Sequence, residues 1–119
     1  MRDFKKIIAW QLADVLAIKI YKMTRNFPKE EIYGLTSQLR RAVVSVPANI
    51  AEGATRNSNK EYLRFLYIAK GSLAEVEYLL HICHHLDYLA EQDYNQLNEM
   101  RVECAKTLYG LITSVVNDK

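Results

Sequence analysis

The segment Gly34–Gly53, with the sequence GLTSQLRRAVVSVPANIAEG, decides the fold of this chain. Its apolar residues recur every three or four positions, which is the spacing of an amphipathic α-helix. Two adjacent arginines, a serine, a proline and an asparagine interrupt this apolar pattern, although a helix that only fills a core would avoid them. We predict a helix with Thr36 as its N-cap, Gly53 as its C-terminal cap and a kink at Pro47. The alternative is that Pro47 ends the helix.

Three more helices follow from the same periodicity, and no segment alternates as a β-strand does. The first is predicted from about Phe4 to Arg25, because the residue before Pro28 is disfavoured in a helix. The third begins at a capping box, Ser58–Glu61, and the fourth runs from the turn at residues 87–90 to about Val116. Their short connections predict an all-α, antiparallel up-down-up-down four-helix bundle, as one domain spanning residues 1–119.

The composition is that of a globular protein. Half of the 119 residues are apolar, a quarter are charged, and no run of about 18 apolar residues could cross a membrane. The N-terminus lacks a signal-peptide pattern, so we predict a cytoplasmic protein. Cys83 and Cys104 fall on successive helices about 13 Å apart along the axis, too far for a disulfide, and are predicted to be buried thiols.

Charge is unevenly distributed along the chain. Residues 1–70 hold 13 Lys/Arg against 6 Asp/Glu, a net of +7, while residues 71–119 hold 3 against 8, a net of −5. The charges form either solvated faces, a basic surface for a polyanion, or complementary halves that meet between subunits. The candidate nucleic-acid-binding residues are Lys5, Lys6, Lys19, Lys22, Arg25, Arg56, Lys60 and Arg64.

A polar strip follows one face of the second helix. It is either an exposed surface for RNA or a partner, or a buried network that fixes helix register and subunit contacts, and the apolar faces beside it favour the network. We predict a shielded ion pair between Arg41 and Glu75, with Arg40 as the competitor for that carboxylate. The predicted structural polar network is Gln38, Arg40, Arg41, Ser45, Asn49, Glu52 and Glu75.

The sequence offers no recognisable catalytic set. It has no glycine-rich phosphate loop, no zinc spacing and no nucleophile elbow, so we predict neither enzymatic activity nor a cofactor. Glu77, His81 and His85 have the i, i+4, i+8 spacing that could present two imidazoles to a metal. A solvated helix end is the favoured interpretation, because imidazoles interact well with the C-terminal helix dipole.

Five blocks of the chain closely resemble the four-helix-bundle proteins encoded within intervening sequences of bacterial 23S ribosomal RNA genes. The blocks are Ala9–Ala13, Phe27–Thr36, Gln38–Ala42, Ser45–Gly53 and Ala69–Glu77. The resemblance implies a bundle that assembles as a ring-like homo-oligomer, a pentamer. A related accessory protein of diversity-generating retroelements resembles a basic pentameric barrel that binds nucleic acid and a reverse transcriptase.

The first helix supports an assembly independently, because its apolar residues cover most of its circumference. They form the stripes Ala9, Ala13, Leu16, Ile20, Met23 and Ile8, Leu12, Val15. A monomer rarely leaves such a surface in water. We therefore expect a homo-oligomeric, non-enzymatic scaffold that binds RNA or an RNA-associated protein, the alternative being a protein–protein assembly module that touches no nucleic acid.

Overall fold

The computed structural model describes residues 2–118, and all its regular structure is helical. Four long helices account for most of these residues: α1, Ile8–Thr24; α2, Leu35–Ala54; α3, Asn59–His85; and α4, Glu91–Asn117. Two short 3-10 helices, Phe4–Lys6 and Lys29–Glu31, precede α1 and α2.

The helices form the predicted four-helix bundle. Each long helix contacts the next one in the chain, and α1 closes the arrangement by contacting α4. The described residues are elongated, with principal extents of 48 × 24 × 20 Å. One end, named here the α2–α3 end, holds the connection between these helices, the start of α1 and the last turn of α4. The opposite end holds the other two connections.

The core consists of side chains from all four helices. The largest fully buried ones are Leu16, Ile20, Leu39, Val43, Val46, Ile50, Leu66, Val76, Leu80, Cys83, Leu97 and Leu108. They recur at the three- and four-residue spacings that predicted the helices, which confirms the helical interpretation of the pattern.

The start of the first helix differs from the prediction. A 3-10 helix at Phe4–Lys6 is separated from α1 by Ile7, which has extended backbone (φ −80°, ψ 117°). The side chain of Asp3 accepts a hydrogen bond from the Lys5 amide and so caps this separate turn. The ring of Phe4 packs edge-on against Trp10, with centroids 4.9 Å apart, and holds the turn against the bundle.

Helix α2 begins one residue before the predicted N-cap, and Thr36 lies buried inside it. The cap comes instead from Glu31, whose carboxylate accepts hydrogen bonds from the Leu35 amide (3.1 Å) and the Tyr88 hydroxyl (2.8 Å). Gly34 leaves room for this approach, since a Cβ there would lie 2.6 Å from Glu31 Oε1. The Leu35 amide, followed by the Tyr88 hydroxyl, lowers the pKa of Glu31.

The lowered pKa of Glu31 makes a prediction for acid stability. A carboxyl group whose pKa is lower in the folded state stabilises the fold above its unfolded pKa, and this contribution is lost as pH falls through the folded value. We expect Glu31→Gln to flatten the decline in thermal stability below about pH 4.5, the ordinary value for this group. Glu30→Gln, a change in the same 3-10 helix, is the control. Identical acid profiles for the two variants would contradict the role of Glu31.

The C-terminal half of α2 continues through Pro47 to Ala54, so the helix does not end at the proline. The prediction of Gly53 as the C-terminal cap is wrong, because Gly53 is helical and buried. It lies where α2 meets α3: a Cβ added to Gly53 would be 2.8 Å from Cβ of Phe65 and 3.1 Å from the ring of Tyr62. The glycine therefore permits close helix packing.

Both ends of α3 are capped. The Ser58 side chain accepts a hydrogen bond from the Glu61 amide at 3.2 Å, which confirms the predicted N-cap. At the other end Asp87 has a positive φ of 64°. This conformation lets the amides of Asp87 and Tyr88 donate to the carbonyls of His84 (3.1 Å) and Cys83 (2.9 Å), as in a Schellman motif.

Cys83 and Cys104 are free and buried, as predicted. Burial raises the pKa of each thiol to about 11, and the nearby charge of Glu31 adds to the effect at Cys83. Because the thiolate is the reactive form, both side chains behave as small apolar core residues.

Candidate nucleic-acid interface

The eight candidate basic residues do not form one surface. Lys5, Lys6, Arg56, Lys60 and Arg64 lie at the α2–α3 end, because the start of the chain, the end of α2 and the start of α3 meet there. The other three, Lys19, Lys22 and Arg25, lie toward the opposite end of α1. At 1.5 Å per helical residue, Arg25 is roughly 25 Å from Lys6 along the bundle axis.

A sixth basic residue, Arg2, joins the cluster at the α2–α3 end. Its guanidinium donates hydrogen bonds to the carbonyl of Arg56 (2.8 Å) and to Oδ1 of Asn59 (2.9 Å), and it lies over the ring of Tyr62 at 4.1 Å from the centroid. Burial raises the pKa of Tyr62, and the charge of Arg2 partly opposes that rise. Sequence reasoning missed Arg2 because its partners are more than 50 residues away.

Arg56 and Arg64 lie over the ring of Phe65, with guanidinium carbons 4.6 and 4.9 Å from its centroid. Arg56 also pairs with Glu52 at 2.8 Å, and Arg64 lies 3.7 Å from Glu61. Both ion pairs are solvent-exposed, so each contributes little to stability. The Phe65 ring therefore attracts both guanidinium groups, in addition to their exposed carboxylate partners.

The middle of the polar strip on α2 forms a network with α3. Ser45 Oγ lies 2.8 Å from Ser72 Oγ, and the Asn49 side-chain amide donates to the Ser45 carbonyl (2.8 Å) and hydroxyl (3.0 Å). These residues are half-buried, whereas Gln38, Arg41 and Glu52 are exposed. The strip is therefore a network at its centre and a solvated surface at its ends.

The predicted ion pair between Arg41 and Glu75 is not formed within the described chain: both residues are exposed and their charged groups are not within 4.0 Å of each other. The neighbouring Arg40 is the half-buried arginine. Its Nε donates to Thr24 Oγ1 at 2.9 Å, and its guanidinium lies 4.8 Å from the ring centroid of Tyr21. Arg40 therefore joins α2 to α1. Glu75 lies on α3, which packs against another side of α2.

The histidines at the end of α3 are occupied by local contacts. His84 Nε2 lies 2.8 Å from a carboxylate oxygen of Glu91, and His85 Nδ1 lies 2.9 Å from the carbonyl oxygen of His81. A carboxylate oxygen of Glu77 lies 3.5 Å from the guanidinium of Arg101, so this side chain pairs with α4 and not with the imidazoles. Between residues 2 and 118, no three His, Cys, Asp or Glu side chains are placed to hold one metal ion.

The helices within residues 2–118 also differ from membrane-spanning segments. None of them is both long enough and apolar enough to cross a bilayer.

The fold defines a class, the small all-α proteins built as an antiparallel four-helix bundle. More specifically, the chain belongs to the family of 23S rRNA-intervening sequence proteins, whose family model matches residues 5–110. This confirms the family predicted from the Gly34–Gly53 segment and its flanking blocks. The relation to the retroelement accessory protein stays a prediction.

A solved structure supports the same grouping. The chain is similar to a protein of unknown function from the S23 ribosomal protein family of Bacteroides thetaiotaomicron VPI-5482, with a TM-score of 0.78 and 25% sequence identity. The match covers 87% of this chain and 97% of the other. No match to a curated protein was found.

Proposed function

We propose that this protein is a non-enzymatic, homo-oligomeric helical scaffold that acts in the cytoplasm and binds RNA through its basic α2–α3 end. The observation that carries the proposal is the apolar outer side of α1. Ile8, Val15, Ile18 and Tyr21 are 56, 54, 49 and 41% exposed, although they lie on the helix that contacts both α2 and α4. Burial of this surface against another copy would remove it from water.

Two grooves beside α1 differ in charge. The groove between α1 and α4 has a volume of about 330 Å³ and is lined by Leu12, Val15 and Met100 together with Glu99 and Glu103. It therefore combines an apolar floor with an acidic rim.

The groove between α1 and α2 has a volume of about 290 Å³. Its apolar lining includes Ile18, Val44 and Pro47, and its rim carries Lys22 and Arg25, with Asp14 as the acidic residue. A basic groove on one copy matches an acidic groove on the next. Such a head-to-tail contact generates a ring when the rotation between copies closes, and five copies are the number that the family resemblance favours.

This arrangement also assigns the two groups of basic residues to different tasks. Lys22 and Arg25 are used between subunits, whereas the cluster at the α2–α3 end stays free. Ring symmetry then repeats that cluster once per subunit, and repeated cations give tight but weakly sequence-specific binding to a polyanion.

Light scattering and an RNA titration test the two halves of the proposal. We expect the purified protein to have the mass of a closed oligomer at micromolar concentration. We expect structured RNA to bind at about 50 mM salt and to dissociate steeply by about 200 mM, as counterion release requires. A monomeric mass would contradict the scaffold, and absence of binding at the lower salt concentration would contradict the RNA role.

The second candidate function is a protein–protein assembly module that does not bind nucleic acid. Three exposed tyrosines on other surfaces favour it: Tyr33, Tyr78 and Tyr109 are 95, 60 and 66% exposed. Tyrosine is enriched in protein interfaces because it supplies a large contact area at low entropic cost. An assembled ring that does not bind RNA would leave this function as the explanation.

A further inference from the structure

A polar cleft opens at the α2–α3 end. It has a volume of about 540 Å³ and is lined by Arg2, Thr55, Arg56 and Asn57. Both arginines lie over aromatic rings, so the cleft presents two cations, and none of its lining side chains is acidic. We infer that this cleft binds phosphate groups and that, in the proposed RNA-binding function on which this inference rests, it takes a backbone phosphate of the RNA.

The chemistry of the arginines suits a phosphate. A guanidinium presents five N–H donors in a planar fork that matches two oxygens of a phosphate. Arg2 uses two donors, one on the Arg56 carbonyl and one on Asn59, and these bonds fix its position. Arg56 uses one, on Glu52, and each residue has further N–H donors on its terminal nitrogens that make no hydrogen bond within residues 2–118.

Within the described part of the chain, Glu52 is the carboxylate that competes for Arg56, and this ion pair is weak. The side chains of Arg56 and Glu52 are 39 and 55% exposed, and an ion pair so open to solvent contributes little. Among residues 2–118, the Nε of Arg56 in this rotamer is buried and has no hydrogen-bond acceptor. Turning the guanidinium toward an anion in the cleft therefore gives up a weak bond and can provide an acceptor for Nε.

The surroundings add to the attraction. Three of the cleft residues, Thr55, Arg56 and Asn57, lie between α2 and α3. Helix α3 begins at Asn59 and carries Lys60 and Arg64 in its first turns. The acidic groups at this end are already engaged: Asp3 caps the first turn, Asp118 accepts a hydrogen bond from Asn59, and Glu61 lies beside Arg64.

The test measures RNA affinity of full-length variants by fluorescence anisotropy at several salt concentrations. We expect Arg2→Gln and Arg56→Gln each to weaken binding about tenfold, the loss of one charge-assisted bond. The slope of log affinity against log salt should fall by about 0.9 for each phosphate that the variant no longer neutralises. Lys106→Gln, which removes an exposed charge on α4, is the matched control and should leave both quantities unchanged.

A second variant separates binding from folding. Glu52→Gln removes the competitor of Arg56 and should tighten RNA binding, a gain that damage to the fold cannot produce. Circular dichroism of each variant checks that the helices remain. If RNA binds but only Lys19→Gln and Lys22→Gln weaken it, or if Glu52→Gln has no effect, the cleft is not the phosphate site although the RNA function stands.

Inorganic pyrophosphate distinguishes failure of the cleft from failure of the RNA function. Suppose that RNA does not bind to the wild-type protein but pyrophosphate raises its melting temperature, and that Arg56→Gln abolishes this rise. The cleft would then be a phosphate site, but the phosphate group that it binds would not come from RNA. If neither RNA nor pyrophosphate binds, the inference is overturned.

Discussion

Alanine at position 53 is expected to destabilise the protein, while alanine at position 71 is expected to stabilise it. Both glycines lie inside long helices, where alanine is intrinsically better by about 0.5–1 kcal/mol. At Gly71 a Cβ meets no atom within 4 Å, so Gly71→Ala should realise that gain. At Gly53 the Cβ would approach Cβ of Phe65 to 2.8 Å, and separating α2 from α3 should cost about 1–3 kcal/mol.

Urea denaturation of the two variants and the wild-type protein measures this difference. Because the substitution is the same and only the neighbouring atoms differ, helix propensity cancels from the comparison. If Gly53→Ala raised the free energy of unfolding as much as Gly71→Ala, α2 and α3 would not be in the close contact described above.

Aspartate in place of Ile18 is expected to convert the proposed oligomer into folded monomers. Ile18 is 49% exposed and lines the groove between α1 and α2, which the proposal places between subunits. The aspartate would place a negative charge against the acidic rim of the next copy's groove, and burying that charge costs several kcal/mol. A ring repeats the cost at every interface. Light scattering at micromolar concentration should therefore give the monomer mass, with the helical circular dichroism unchanged.

Ile68→Asp is the matched control for that experiment. Ile68 has a similar exposure, 43%, but lies on α3, away from both grooves beside α1. It should leave the assembly intact. The opposite outcome, with Ile68→Asp monomeric and Ile18→Asp assembled, would move the interface from α1 to α3.

The helices could be predicted because their determinants are local in the sequence. The three- and four-residue spacing of apolar side chains sets the buried face, and the cap at Ser58 depends on a residue three positions later. The family could be predicted for a related reason: the Gly34–Gly53 segment combines apolar spacing with polar residues in an uncommon order.

The predictions that failed depended on distant residues. Thr36 is an acceptable N-cap by composition, but Glu31 caps α2 with help from Tyr88, which follows 57 residues later. From the sequence Gly53 resembles a C-terminal cap, whereas in the structure it lies inside α2 where Phe65 of α3 comes close. At Gly53 packing between two helices outweighed a local preference, and at the start of α2 the Tyr88 hydroxyl supports a capping carboxylate that precedes the expected cap.

The arginines on α2 show why the partner helix of a given residue is hard to predict from the sequence. Successive residues on a helix differ by about 100° in direction, so an error of one position changes the partner helix. From the sequence, Arg40 and Arg41 were both candidates to pair with the Glu75 carboxylate on α3. In the structure the Arg40 side chain donates to Thr24 on α1 instead. The candidate interface shows the same effect, because the net charge of a segment does not reveal that α1 separates Lys6 from Arg25.

The hydrogen bonds of Asn59 to Arg2 and Asp118 determine where a tag or label can be attached to this protein. Its side chain accepts from Arg2 and donates to Asp118, which brings the two extremes of the described chain to one residue beside the polar cleft. An affinity tag fused directly next to residue 2 or residue 118 would crowd that cleft and mask anion binding. A circular permutant that links residues 2 and 118 and is opened at the Asp87 turn would place its new ends on the opposite side of the bundle. Labels for binding measurements are best attached there.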